Sequence, residues 1–244
     1  MAIFAIADLH LSTLVATNKS MEVFGHRWQD YIKRIETNWK RIITPADTVI
    51  IPGDVSWALS LNEALSDLSF LNSLPGHKII GKGNHDFWWS TMKKHGEFFQ
   101  ANGIESISFL YNNAYEVEDL IIAGTRGWYH DEQTANTVTD TDFDKLVKRE
   151  TQRLKMSLDA ATAIKSSSPQ KEIVVFMHFP PIWNGKESEQ IISLLLDYNI
   201  KQVYYGHIHG NYSVPSSFNY KGIEMNIISA DYLEFIPKLV YHTK

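Results

Sequence analysis

Five short runs of apolar, β-prone residues stand out along the chain: 3–7 (IFAIA), 48–51 (TVII), 78–81 (KIIG), 172–177 (EIVVFM) and 201–205 (KQVYY). Each is short, and each is followed within three residues by a carboxylate, imidazole or amide residue, the signature of a buried strand ending at a sheet edge. Between them lie stretches with helical spacing. Residues 27–43 place Trp28, Tyr31, Ile32, Ile35, Trp39, Ile42 and Ile43 on one face, and Pro45 and Asp47 end that helix. Residues 62–74 predict a second helix stopped by Pro75-Gly76, and 91–102 a third stopped by Gly103.

The middle of the chain is less regular. Residues 115–117 and 120–123 predict a hairpin around Glu118-Asp119. Residues 124–139 are polar and without period. Asp140, Thr141 and Asp142 offer N-caps for a helix over 143–164, with Phe143, Leu146, Val147, Leu154 and Leu158 on one face. Residues 166–169 read as a loop, and 223–229 and 235–241 as further strands. Alternation of strands and helices predicts an α/β fold, and a length of 244 residues suits one domain spanning 1–244.

Composition narrows the chemistry. Hydrophobic residues make up 44% and charged residues 21% of the chain, which are ordinary globular values. There is no cysteine, so any metal must be held by His, Asp and Asn, a donor set suited to manganese, iron or zinc rather than to a thiolate-bound structural zinc. A net charge of -5 argues against a duplex DNA partner, for which a basic stripe is expected. No apolar stretch is long enough for a membrane span, and the start of the sequence lacks the pattern of a cleavable leader, so a cytoplasmic enzyme is expected.

The residues that end the runs form an ordered series: Asp8-x-His10, Gly53-Asp54, Gly83-Asn84-His85-Asp86, His178 and Gly206-His207-x-His209. Any one of these pieces is unremarkable by itself. Gly53-Asp54 after Pro52 is a common turn, and a single histidine is commonly a satisfied core residue. Together they place carboxylates, imidazoles and an amide at the carboxyl ends of five strands, the edge at which sites form in open α/β sheets.

The series Asp-x-His, Gly-Asp, Gly-Asn-His-Asp, His, Gly-His-x-His resembles that of the calcineurin-like metallophosphoesterases, the binuclear-metal phosphoesterase superfamily, and the resemblance spans nearly the whole chain. Residues 53–58, 84–89 and 125–128 resemble one bacterial branch of it. The resemblance implies a four-layer α/β/β/α sandwich with two central mixed sheets. It implies two divalent metal ions (manganese, iron or zinc), with Asp54 bridging them, Asp8, His10 and His209 on the first, and Asn84, His178 and His207 on the second. It makes His85 the catalytic imidazole that is not a ligand, and Asp86 the group that holds the His85 ring. The reaction implied is hydrolysis of a phosphate ester by a metal-bridging hydroxide.

Other residues carry weaker signals. Arg126 is either a contact to a phosphate oxygen or a structural ion pair, and His130 lies near it in the irregular stretch. Trp57, Trp88, Trp89 and Trp128 lie near the motifs, so at least one aromatic pocket wall is expected, with Trp88 and Trp128 as candidate substrate contacts. His26, His77, His95 and Lys82 read as surface residues. Lys145, Lys148, Arg149, Arg153 and Lys155 form a basic helix face, by default a solvated one. The substrate expected is a small phosphate ester, a diester in preference to a monoester; a nuclease and a non-catalytic scaffold are the rival readings.

Overall fold

A computed structural model describes residues 1–13, 20–128 and 140–242, with no account of the side chains of 140–142. Two sheets dominate. The first joins β1 (Ala2–Ala5), β2 (Thr48–Ile51), β3 (His77–Ile80) and β4 (Ile107–Phe109) in parallel, with β13 (Lys238–His242) antiparallel on its β1 edge. The second joins β6 (Leu120–Thr125), β7 (Glu172–Met177), β10 (Gln202–Tyr205) and β12 (Ile223–Ile227) in parallel, with β5 (Tyr115–Val117) and β11 (Ser217–Tyr220) as antiparallel edges. A small hairpin of β8 (Ile182–Trp183) and β9 (Lys186–Glu187) lies apart.

Side-chain alternation along these strands builds the layers. In β1 and β2, Phe4, Val49 and Ile51 face an outer core shared with Ile35 and Trp39 of α1 (Tyr31–Ile42), Leu68 and Leu71 of α2 (Leu65–Ser73), and Phe99 of α3 (Met92–Asn102). Their neighbours Ile3, Ala5 and Ile50 face the second sheet, where they meet Ile122, Val174, Phe176 and Tyr204. The other face of that sheet, Ile121, Ala123, Val175, Met177 and Val203, packs on Leu154, Leu158 and Ala161 of α4 (Asp140–Ser167) and on Ile191, Ile192 and Leu195 of α5 (Glu189–Asp197). Three apolar cores separate four layers, so the strands have no polar face, as parallel sheets covered on both sides require. The expected α/β/β/α sandwich with two mixed sheets is what forms.

Several boundaries differ from the pattern reading. The first helix begins only at Tyr31, because Asp30 takes a left-handed conformation (φ 51°) and separates it from a 3-10 turn at His26–Trp28. The second begins at Leu65, after a turn. The long helix starts at Asp140, so the three residues expected as caps lie inside it. Helix α5 and strands β4 and β11 are not predicted by the pattern above. The third helix forms as expected, with the Thr91 side chain accepting from Lys94 N and Gly103 closing it in the left-handed region. His95, expected at the surface, is fully buried: its Nε2 accepts from Ser90 N at 3.0 Å and its ring stacks on Phe109.

The sheets meet at the site. Ala7, just past β1, bridges in parallel to Ser229, just past β12, through Ala7 N to Ile228 O (2.8 Å) and Ala230 N to Ala7 O (2.9 Å). The carboxyl ends of β1, β2 and β3 are thereby set against those of β7 and β10.

Candidate metal centre

The loop after β1 runs beside the loop after β2. Asp8 N donates to Gly53 O (3.0 Å), His10 N to Asp54 O (2.9 Å), and Leu11 N to Val55 O (2.9 Å). Tyr31 of α1 donates its hydroxyl to His10 O at 2.7 Å, fixing the loop from below. Four of the expected ligand positions adopt left-handed backbone: Asp8 (φ 60°), His10 (φ 44°), Asp54 (φ 51°) and His207 (φ 70°). Asp and His tolerate that region better than bulkier residues. Two glycines make room: a Cβ on Gly83 would overlap the Asp54 carboxylate, and one on Gly206 would overlap that of Asp8.

The seven residues expected as ligands come together. Asp8, His10 and His209 form one group able to hold a cation, and Asp8, Asp54 and His178 form another. The Nε2 atoms of His10 and His209 face each other at 3.2 Å, and His10 Nε2 lies 3.6 Å from Asp54 Oδ2. On the other side of Asp54, His178 Nε2 is 3.5 Å from the same Oδ2 atom and 2.6 Å from Asn84 Oδ1, and His207 Nδ1 is 3.0 Å from Asn84 Oδ1. Asp54 Oδ2 thus stands between a His10 side and a His178 side.

These groups are suited to a cation. Asp8 Oδ1 is buried with no hydrogen-bond partner. Burial, only partly offset by His209, pushes the Asp8 carboxyl up to about 6. Burial and the neighbouring Asp86 and Asp8 charges push Asp54 well above its ordinary value. Burial and neighbouring imidazoles hold His10 and His178 well below theirs, and His207 at about 3. Buried carboxylates, one with an oxygen that has no hydrogen-bond partner, beside imidazoles held neutral by burial are the donor arrangement a cation satisfies. A divalent cation on oxygen and imidazole nitrogen supplies it, so the donor set fits.

One supporting residue was missed in the sequence. Asp231 accepts from His209 Nδ1 (2.8 Å), Gly210 N (3.1 Å) and Tyr212 Oη (3.0 Å). Burial works against protonating His209, but this hydrogen bond and the charges of Asp8 and Asp231 outweigh it and raise its pKa. The signal was present: the run 223–229 also ends shortly before a carboxylate, as the five clusters do.

Asp86 does something other than the ring-holding expected of it. Fully buried, it accepts from the main-chain N–H groups of Gly83 (2.8 Å), Asp54 (2.9 Å), Val55 (2.9 Å) and Ser56 (3.2 Å), and from Trp88 Nε1 (2.9 Å). It ties the Asp54 loop to the Asn84 loop. Trp88 follows it inward: at 2% exposure it is a core residue and not a pocket wall. His85 stays half-buried at the surface of the centre, its ring 4.4 Å from that of Trp57 and 5.6 Å from that of His10, while its N–H donates to Asp54 Oδ1 (2.8 Å).

Two flanks adjoin the centre. On the His10 side lies an open cleft of about 410 Å³ lined by Met21, Phe24, Trp28, Trp57, His85 and Tyr212, among others. Beyond His178, Arg126 pairs with Glu150 (3.3 Å), a carboxylate with 0% exposure that also holds Arg153 (2.7 Å) and Arg149 (3.5 Å). The guanidinium of Arg126 lies over the Trp128 ring at 4.9 Å, and that ring packs on Phe179. Lys82, half-buried, shares a hollow of about 10 Å³ with Arg126, Glu150 and Arg153. His130 lies outside the described residues.

A buried cluster of carboxylates, imidazoles and an amide at the joined carboxyl edges of two sheets is a site able to hold divalent cations. The chain belongs to the calcineurin-like phosphoesterase family, which it matches over residues 1–211. Among solved structures it resembles phosphopantetheinyl hydrolase from Mycobacterium tuberculosis, with 15% identity, 100% of this chain and 98% of that chain covered, and a TM-score of 0.54, a likeness of fold. A protein of unknown function from Aquifex aeolicus is 18% identical, covers 98% of this chain and 95% of its own, and has a TM-score of 0.48. No curated protein matches the chain. Among the described residues no helix is long and apolar enough to cross a membrane.

Proposed function

We propose that this chain acts as a single binuclear metallophosphoesterase domain that hydrolyses phosphodiesters in preference to phosphomonoesters. The observation that carries the reading is the position of Asp54 Oδ2, 3.6 Å from His10 Nε2 and 3.5 Å from His178 Nε2. Asp8, His10 and His209 would hold one divalent ion, and Asn84, His178 and His207 the other, with Asp54 shared; manganese, iron and zinc all suit these donors. When bound, the cations would polarise the phosphoryl oxygens and make hydroxide available as the nucleophile at neutral pH.

The chain's own groups do the rest. Asp231 takes the proton side of His209 at Nδ1, which leaves the Nε2 lone pair facing His10 Nε2. Asp86 and Gly83 keep the Asp54 carboxylate in register with Asn84. His85 stands beside the His10 side with its ring against Trp57, positioned to donate a proton to the departing ester oxygen. The diester preference is supported by charge: Arg126, whose charge is felt at Asp54 and His178, is engaged by Glu150, so a dianionic monoester would gain little beyond the metals.

The test is paired. Protein stripped with chelator and reloaded with manganese should approach two equivalents by elemental analysis; a plateau at one contradicts the binuclear reading. The same preparation should show a higher kcat/KM for bis(4-nitrophenyl) phosphate than for 4-nitrophenyl phosphate. A clear monoester preference refutes the diester reading.

A further inference from the structure

The cleft on the His10 side is too large and too aromatic to be explained by metal binding. Its volume of about 410 Å³ falls within the range of small-molecule sites. Its inner wall is His85 and His209. Its outer walls are Phe24, Trp28, Trp57 and Tyr212, and among the described residues no carboxylate lines it. The rings are set by the fold. Trp28 is held edge-on against Tyr31 and Phe235, and Trp57 stacks on His10 at 4.8 Å with 24° between planes. The Tyr212 hydroxyl is tied to Asp231, and the Arg27 guanidinium covers its ring at 4.6 Å.

Two of the walls are unusually exposed for large apolar side chains. Phe24 is 68% exposed and Tyr212 43% exposed, and Val23 beside Phe24 is 81% exposed. Large apolar groups left in water beside a catalytic centre mark a place where something apolar docks. The cleft begins at His85, the group assigned to the leaving oxygen, so it receives whatever that oxygen carries.

We propose that this cleft is the leaving-group subsite and that it selects phosphate esters whose departing alcohol bears a flat, apolar ring. The proposal rests on the hydrolase reading above for the identity of the phosphoryl site, and adds the chemical class of the substrate. Flat rings favour a planar guest over a branched or charged one, because stacked and edge-on contacts need a face to meet. The cleft's lack of carboxylates disfavours a cationic guest.

The experiment uses two non-hydrolysable probes on manganese-loaded protein, phenylphosphonate and methylphosphonate, with binding measured by calorimetry. Phenylphosphonate should bind about tenfold tighter or more, the scale set by burying one ring. In Phe24→Ala that ratio should fall several-fold, and Phe24→Trp should restore it. Phe24 is exposed, so the variant retains its fold, and the methylphosphonate affinity of each variant serves as its internal reference. Equal binding of the two probes, or an unchanged ratio in Phe24→Ala, overturns the proposal, as does failure of both to bind. If the phenyl advantage is present but no ester is turned over, the hydrolase reading fails while the subsite stands. If esters are turned over with no aryl advantage, the reverse holds.

Discussion

The two flanks of the centre use their side chains in opposite ways. On the His178 side, charge is plentiful: Arg126, Arg149 and Arg153 surround a single buried carboxylate, Glu150, and Lys82 stands nearby. Yet the hollow between them is about 10 Å³, and the guanidiniums are directed at Glu150. On the His10 side, among the described residues, no carboxylate, guanidinium or ammonium group lines the open cleft, which is walled by aromatic rings with exposed Phe24 and Tyr212 at its mouth. A cation near a phosphoesterase centre is therefore no guide to where substrate binds. A buried carboxylate with three arginines is a structural joint, whereas the exposed rings beside His85 form the surface on which we propose a ligand docks.

The largest expected effect belongs to neither flank but to the carboxylate between them. Asp54→Asn should lower metal content toward less than one equivalent and reduce kcat/KM by more than the roughly 10²–10⁴-fold of losing a positioned acid. If occupancy stays at two equivalents, Asp54 is no bridge. Next comes the aromatic flank. His85→Ala should leave metal content intact while kcat falls by roughly 10²–10⁴. Loss of metal would make His85 a ligand, and unchanged kcat would take it out of the mechanism.

Asp231→Asn should weaken metal affinity by about 10–100-fold, the usual cost of disturbing a partner that orients a ligating imidazole. Chelator competition at fixed pH reads this directly, and parent-like affinity would show that His209 needs no anchor. The smallest catalytic effect should come from the charged flank. Arg126→Met should change kcat/KM for a diester only a few-fold, yet lower stability to urea, because it removes a partner from buried Glu150. A loss of kcat equal to that of His85→Ala would erase the contrast between the flanks.

How much of this was legible in the sequence depended on what each residue answers to. Asp8, Asp54 and His178 follow apolar runs whose length and composition already announce strand ends, so their convergence followed from fold class. Trp88 and Trp57 show the limit. Both sit within a few positions of a motif, but proximity in sequence says nothing about which way a side chain turns where a strand breaks into a loop. Trp88 points inward to Asp86, and Trp57 points outward to stack on His10. Asp86 was expected to hold the His85 ring, whereas four of its five donors are main-chain amides, which every sequence contains and none advertises. Arg126 was left open between a phosphate contact and an ion pair; the pair with Glu150 could not be read because its partner lies on α4, beyond a polar stretch without period. Helix α5 is nine residues long, and three buried positions in so short a window make a weak period.

The four left-handed residues of the centre carry a consequence for how such a chain changes over generations. Asp8, His10, Asp54 and His207 each hold a conformation that costs an L-residue about 1–2 kcal/mol, and glycine would hold it at little cost. On the reading proposed above, selection for hydrolysis is the force that keeps side chains there. In a lineage released from that selection, these positions should be among the first to drift to glycine, since each such change relaxes the backbone even as it dismantles the centre. Sequences that retain the run-then-turn pattern but show glycine at several of the four would record the loss of activity before any change of fold.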